Sequence, residues 1–98
     1  MAATHIHDET KLSESKTDAL KRLSYIQGHL AGVRRMVEDD KYCVDVLKQT
    51  FAVRRAINKL EAVLLEGHLG SCVIEGIREG RDEQVMGELI ELYSLSER

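Results

Sequence analysis

The side chains best suited to chemistry in this 98-residue chain are two cysteines and one histidine. Cys43 is followed by His68 and then, four residues further on, by Cys72. Residues four apart lie above one another on a helix face, so His68 and Cys72 can bind the same ion. Two thiolates and an imidazole form a soft ligand set that suits Cu(I) or Zn(II). Three ligands without a fourth favour Cu(I), because structural zinc usually takes four.

Hydrophobic periodicity predicts the elements that position these ligands. The apolar residues of the first helix, predicted over residues 16–38, advance by four and three positions in turn, a pattern typical of a helix packed lengthwise on others. They are Ala19, Leu23, Ile26, Leu30, Val33 and Val37. Ser15, with Asp18 three positions later, predicts a capping box at the start of this helix.

A second helix is predicted from about residue 43 to residue 77. Gly67 and Gly70 interrupt its pattern, which then resumes. We expect one long helix loosened at these glycines, and two helices broken between them are the alternative. Gly80 ends this element, and a short third helix follows it. No segment has the period of a strand, so the predicted fold is all-α with three helices per protomer.

The separation of the ligands along the second helix restricts how they can meet. A helix rises ~1.5 Å per residue, which puts Cys43 roughly 37 Å from His68 on a straight helix. One chain therefore cannot bind one ion through both residues unless this helix folds back. Antiparallel pairing of two such helices near Ile57 would bring Cys43 of one chain to His68 and Cys72 of the other. We expect a two-fold dimer with two identical sites.

Length and composition agree with self-association. The chain is short and only 4% aromatic, so it can bury little core by itself.

Residues 1–14 lack periodicity and predict a flexible tail before a single domain over residues 15–98. No apolar run approaches the ~20 residues of a membrane span, so we expect no membrane partner. The N-terminal segment has no export signal, and free thiols then predict a cytoplasmic protein.

The net charge of −3 hides an asymmetry along the chain. Residues 11–60 carry eleven basic and six acidic side chains, whereas residues 61–98 carry three basic and nine acidic ones. Such a chain can bind a polyanion through its basic surface despite an acidic total. The alternative to a binding surface is that these charges lie on two ordinary solvated helix faces. The basic side chains nominated on charge are Lys21, Arg55 and Lys59.

Three segments, KRLSYIQGHLAGVRRM, DKYCVDVLKQ and LLEGHLGSCV, closely resemble the CsoR/RcnR family of bacterial metal-sensing repressors. The resemblance covers residues 18–77, and the Cys-His-Cys set is that of the copper-sensing CsoR branch. It implies a Cu(I)-responsive transcriptional repressor that binds operator DNA as apo-protein and is released on Cu(I) binding, which derepresses copper-efflux genes. It also implies an antiparallel helical dimer that assembles into a dimer of dimers, a flat homotetramer.

The resemblance also implies roles for residues outside the ligand set. In the copper branch a hydrogen-bond network runs from the metal-bound histidine to a tyrosine and a glutamate, and Tyr42 and Glu88 match those positions. Arg22 and Arg54 match positions implicated in DNA binding, whereas Lys21, Arg55 and Lys59 are nominated on charge. The sequence has no recognisable helix-turn-helix, so phosphate contacts and DNA shape are expected to dominate.

Other branches of the family, and other classes of protein, supply the alternatives. Nickel and cobalt sensors add an N-terminal histidine, but His5 and His7 lie a few residues upstream of its expected place near Lys11. The persulfide-sensing branch lacks the histidine, and the formaldehyde-sensing branch generally lacks the second cysteine. A copper-buffering protein would not need the basic half. An enzyme is not expected, because His68 and Cys72 have no evident orienting acid.

Overall fold

The computed structural model describes residues 2–96, with side chains described over residues 14–67 and 69–96. Within this part of the chain there are three helices and no strand, so the predicted all-α fold is confirmed. The first helix, α1, spans Ala2–Glu38, and the last, α3, spans Asp82–Ser96. Between them α2 has three consecutive parts, which are α-helical over Cys43–Leu64, π-helical over Leu65–Leu69 and α-helical over Gly70–Arg78.

The long helix α2 continues through the two glycines instead of breaking there. Leu64, Leu69 and Gly70 all keep right-handed helical backbone angles, with φ of −65°, −65° and −56°. The helix widens into one π turn, a form that helices adopt mostly as single turns. The expectation of one long helix loosened at the glycines is therefore confirmed, and the alternative of two separate helices is wrong.

Close packing against α1 explains why the π turn contains a glycine. A Cβ built at Gly67 would overlap the Oγ and Cβ atoms of Ser15, so a larger residue could not take this place without movement of α1. Ser15 Oγ donates a hydrogen bond to the carbonyl of Val63 at 3.2 Å. Ser71 Oγ donates to the carbonyl of Gly67 at 3.1 Å. Two buried hydroxyls therefore bind one backbone carbonyl just before the widened turn and one within it.

The predicted capping box at Ser15 is wrong. Helix α1 begins at Ala2, so Ser15 lies inside it, and the serine hydroxyl binds α2 instead of capping its own helix. Asp18 forms an ion pair with Arg22 one turn later, at 3.0 Å. The side chains of residues 1–13, including His5 and His7, lie outside the described part. The flexible tail predicted for residues 1–14, before a domain over 15–98, stays a prediction.

The core of the protomer lies between α1 and α2 and is small. Its buried residues are Ala19, Ile26, Val53 and Leu60, with Val33, Ala56 and Val63 packed against them. Other members of the predicted α1 stripe remain open, since Leu23 is 41% exposed and Leu30 50% exposed. On α2, Leu47 and Phe51 are 51% and 50% exposed. One protomer therefore buries only part of each apolar face.

Helix α3 packs back onto the last part of α2 through a tight turn. Gly80, predicted to end the second helix, takes a positive φ of 80°, which suits glycine, and the Arg81 N–H donates to the carbonyl of Gly76 at 2.8 Å. Val85 is buried against Gly76, where a Cβ would overlap its Cγ2 atom. This packing brings the first half of α3 alongside the second cysteine.

Candidate metal centre and nucleic-acid interface

The first cysteine stands at an open end of the molecule. Cys43 is the first residue of α2, and its thiol is free and exposed. Tyr42, which precedes it, is 67% exposed, and the apolar side chains of Val44 and Leu47 are exposed as well. The predicted ligand and its predicted network partner Tyr42 thus lie together on an uncovered apolar surface.

The second cysteine stands where α2 and α3 meet. Cys72 is also a free, exposed thiol, and it lines a cleft of about 270 Å³ between the two helices, together with Glu75, Arg81 and Glu88. We call this the α2–α3 cleft. Cys72 also borders a larger apolar cavity of about 600 Å³, lined by Leu64, Leu65, Leu69, Leu89, Leu92 and Tyr93. The structure therefore brings Cys72 and Glu88, both predicted site residues, into one place.

Arg81 lies in this cleft and was missed by the sequence analysis. Its Nη2 atom is 2.5 Å from Glu79 Oε1. The hydrogen bond and charge of Glu79 raise the pKa of the Arg81 guanidinium, and the charges of Glu88 and Glu75 raise it further. Arg81 thus carries its positive charge within electrostatic range of three carboxylates. The interaction of Arg81 with Glu75 depends on how α3 folds back onto α2, so no local motif could have indicated it.

The two cysteines cannot reach one ion within a protomer. Because α2 is helical from Cys43 to beyond Cys72, a rise of ~1.5 Å per residue separates the two positions by roughly 40 Å. His68 lies in the π turn near Cys72, but its side chain is outside the described part. Among the side chains that are described, no three His, Cys, Asp or Glu residues are grouped closely enough to bind a metal ion.

The donor set nevertheless suits a soft metal. Both thiols are free and exposed, so a second chain can approach either of them. Thiolate and imidazole ligands select Cu(I) or Zn(II) over Mg or Ca. The donor types present, two thiols and an imidazole, therefore fit a soft metal ion, although one chain cannot bring Cys43 to the other two.

Four of the five predicted DNA-binding residues meet in one groove between α1 and α2. This basic groove has a volume of about 450 Å³ and is lined by Lys21, Arg22, Tyr25, Ala52, Arg55, Ala56 and Lys59. Lys21 and Tyr25, like Arg55 and Lys59, are four residues apart and so share a helix face. Asp18 holds Arg22 through their ion pair. The groove thus concentrates four cations from two helices.

The fifth candidate, Arg54, lies outside the groove. Its guanidinium carbon stands 5.3 Å from the centre of the Phe51 ring, a cation–π contact. On α2, Arg54 points about 100° away from Arg55, toward Phe51, and it does not line the groove. Tyr25 is the residue that the charge argument missed, although its spacing from Lys21 placed it on the basic face.

No helix within residues 2–96 has both the length and the hydropathy required to cross a bilayer.

Comparisons with known proteins agree on one family. The family model described as metal-sensitive transcriptional repressor matches residues 15–94. The copper-sensing transcriptional repressor CsoR of Mycobacterium ulcerans is 41% identical over 81 residues, which are 83% of this chain and 69% of that protein. CsoR of Bacillus subtilis is 40% identical over 83 residues, 85% of this chain and 82% of that protein.

A solved structure extends the similarity to the fold. The crystal structure of the copper-sensing repressor CsoR with Cu(I) from Geobacillus thermodenitrificans matches with a TM-score of 0.79 and 39% identity, over 87% of this chain and 88% of that one. Proteins of this kind are regulators and not enzymes. With its family model, its relatives and its fold in agreement, the chain belongs to the CsoR/RcnR family of metal-sensitive transcriptional repressors.

Proposed function

We propose that this protein is a copper-responsive transcriptional repressor, which binds operator DNA as apo-protein and is released when Cu(I) binds, so that copper-efflux genes are expressed. The observation that carries the proposal is the intact Cys43, His68 and Cys72 set in a chain 40% identical to copper-sensing repressors. A repressor acts where the chromosome is, so the proposed location is the cytoplasm.

The proposed metal site joins two chains. Cys43 of one protomer and His68 with Cys72 of another would hold the ion, which supplies a soft, low-coordinate centre when bound. Antiparallel pairing of α2 would also cover the exposed side chains near Cys43 and along α1. The half-exposed Leu30, Leu47 and Phe51 support such a pairing. A dimer of two such dimers is the proposed assembly.

Tyr42 and Glu88 are the proposed links between the metal site and the rest of the molecule. Glu88 lies in the α2–α3 cleft beside Cys72, and Tyr42 precedes Cys43, so antiparallel pairing would bring both residues to the same site. A metal-bound histidine is normally oriented through its other ring nitrogen. We infer that Tyr42 and Glu88 hold His68 in this way. Fixing that ring would shift α3 against α2 and thereby change the basic surface.

The proposed DNA surface is the basic groove, with Arg54 as an additional candidate. Four groove cations, Lys21, Arg22, Arg55 and Lys59, lie within one surface depression, which suits phosphate groups. Release by the metal needs only a modest coupling, since a tenfold loss of DNA affinity corresponds to ~1.4 kcal/mol.

Mixing two inactive variants tests the shared metal site. Cys43→Ser and Cys72→Ser should each abolish tight Cu(I) binding, measured anaerobically against a competing chelator. Unfolding and refolding the two variants together should restore about a quarter of the wild-type stoichiometry, because half of the dimers are mixed and each mixed dimer has one intact site. Recovery would not occur if all three ligands came from one chain.

The function itself is tested on DNA selected by the protein. Duplexes that bind apo-protein are enriched from a randomised pool, and the complex is then titrated anaerobically with Cu(I), Ni(II), Zn(II) or persulfide. Release by Cu(I) at stoichiometric occupancy is expected. Release by Ni(II) or by persulfide alone would assign the protein to another branch. Failure to enrich any duplex, together with tight Cu(I) binding, would identify a buffering protein.

A further inference from the structure

Tyr25 is an exposed aromatic side chain within the basic groove. Its side chain is 64% exposed, and it lines the groove with the four cations. The chain has only three tyrosines and one phenylalanine, and most of its other large exposed side chains are aliphatic. A phenol ring at this place combines an apolar body with a hydroxyl that can donate one hydrogen bond.

The ring of Tyr25 packs against the ring of His29. It contacts His29 edge to face, with ring centres 5.7 Å apart and planes at 82°. His29 Nε2 is 2.7 Å from Gln49 Oε1, an exposed contact that joins α1 to α2. An amide oxygen can only accept, so His29 Nε2 is the donor. The other ring nitrogen, Nδ1, is buried and has no hydrogen-bond partner among the described residues.

This arrangement fixes the ring of His29, which is half-buried. The Nδ1 atom of His29 is buried, and its Nε2 atom is hydrogen-bonded to Gln49. The imidazole ring that Tyr25 contacts is therefore held in place. An aromatic side chain held at its base but exposed at its tip is preorganised for a contact outside the molecule, because less freedom is lost on binding.

The neighbours of Tyr25 indicate what that contact is. Lys21 precedes it by one helical turn, and Arg55 and Lys59 line the same groove from α2. Phosphate oxygens accept hydrogen bonds from tyrosine hydroxyls as well as from lysine and arginine, and such contacts set the register of a protein on DNA. We propose that Tyr25 is an uncharged DNA contact whose hydroxyl binds a backbone phosphate in the basic groove, with His29 and Gln49 as positioning residues.

The inference rests on the proposed function, and salt dependence separates it from a general electrostatic effect. Binding of a selected duplex by the full-length protein is measured over a range of salt concentrations. Tyr25→Phe should weaken binding about tenfold at every salt concentration, with an unchanged slope of log K against log salt, because no charge is lost. The matched variant Lys59→Gln should weaken binding and reduce the slope by about one for each protomer in contact.

A double-variant cycle tests the positioning role. Gln49→Leu frees His29 and should weaken binding less than Tyr25→Phe does. In the double variant the two effects should not add, because both act through the same hydroxyl contact. Thermal unfolding of each variant monitors the fold separately.

The results for the variants and for the wild-type protein test different parts of the proposal. Wild-type affinity in Tyr25→Phe, or an altered salt slope, overturns the phosphate contact while the repressor function stands. Additive effects overturn the role of His29 and Gln49. If the wild-type protein selects no duplex at all, the proposed function fails, whatever the variants do.

Discussion

The two ends of α2 differ in how much of their surroundings one protomer supplies. Around Cys72 the chain builds a local structure from the π turn, Ser15 of α1 and the α2–α3 cleft. Around Cys43 it leaves a bare helix start, with Tyr42 and Leu47 more than half exposed. One half of the proposed site is thus prepared within one chain, whereas the other half would require a second copy. Stability and association should therefore respond to changes at different ends.

The largest effect, on the free energy of unfolding, is expected at the Cys72 end of α2. Gly67→Val places side-chain atoms where Ser15 already lies, and relief requires α1 and α2 to separate. We expect a loss of about 3 kcal/mol in the free energy of unfolding, at the upper range for overpacked cores. Chemical denaturation measures it.

A second substitution shows whether the clash is the cause. Ser15→Gly removes the overlapping side chain and should restore part of the stability lost in Gly67→Val. If the double variant were no more stable than the single one, the contact between α1 and the π turn would not explain the glycine.

At the open end a charge should affect association instead of protomer structure. Leu47→Lys keeps a good helix former but places a charge on the exposed apolar surface beside Cys43. We expect a smaller molecular mass by sedimentation and the loss of tight Cu(I) binding. Lys48→Gln, a substitution at the next residue, is the matched control. An unchanged mass in Leu47→Lys would remove this surface from the proposed dimer interface.

A smaller effect is expected at the link between the two halves. Glu88→Gln should leave Cu(I) affinity nearly intact, because Glu88 is not a proposed ligand, while Cu(I) no longer lowers DNA affinity by about tenfold. Glu83→Gln, an exposed acidic residue on the same helix, is the control and should release DNA normally. Normal release by Glu88→Gln would contradict the proposed network.

The smallest change is a gain in stability. Gly28 lies inside α1, and nothing stands within 4 Å of a Cβ built there. Gly28→Ala should therefore raise the free energy of unfolding by about 0.5–1 kcal/mol, through the lower conformational entropy of the unfolded chain. A loss of stability in the assembled protein, measured by denaturation, would indicate that a second copy packs closely on Gly28.

Regular repetition made much of the fold predictable from sequence. The apolar spacing of α1 and α2 identified both helices, and the glycine pair located the widened turn. The reach argument needed only the rise of a helix, and it holds because α2 stays helical between Cys43 and Cys72. Helical spacing also explains why Arg55 and Lys59, four residues apart, both line the groove.

Contacts between distant parts of the chain were not predictable in this way. Ser15 has the local pattern of a helix cap, yet its hydroxyl binds Val63, 48 residues away. Arg81 interacts with Glu75 only because α3 folds back onto α2 at Gly80. His29, against which Tyr25 packs, is held by Gln49 from the other helix. Each of these depends on tertiary packing, which overrides a local signal or supplies one where the sequence has none.

The unbroken course of α2 also limits how this chain can vary in length. In a loop, an inserted residue is absorbed by the surrounding backbone, but in a rod it turns everything beyond it by about 100° and moves it by about 1.5 Å. In the proposed dimer one such change between Cys43 and Cys72 would misalign both copies of the site together. The length of α2 between Cys43 and Cys72 would therefore set the distance between the ligands. Related proteins that keep the proposed shared site should differ within this segment by substitution and not by insertion or deletion.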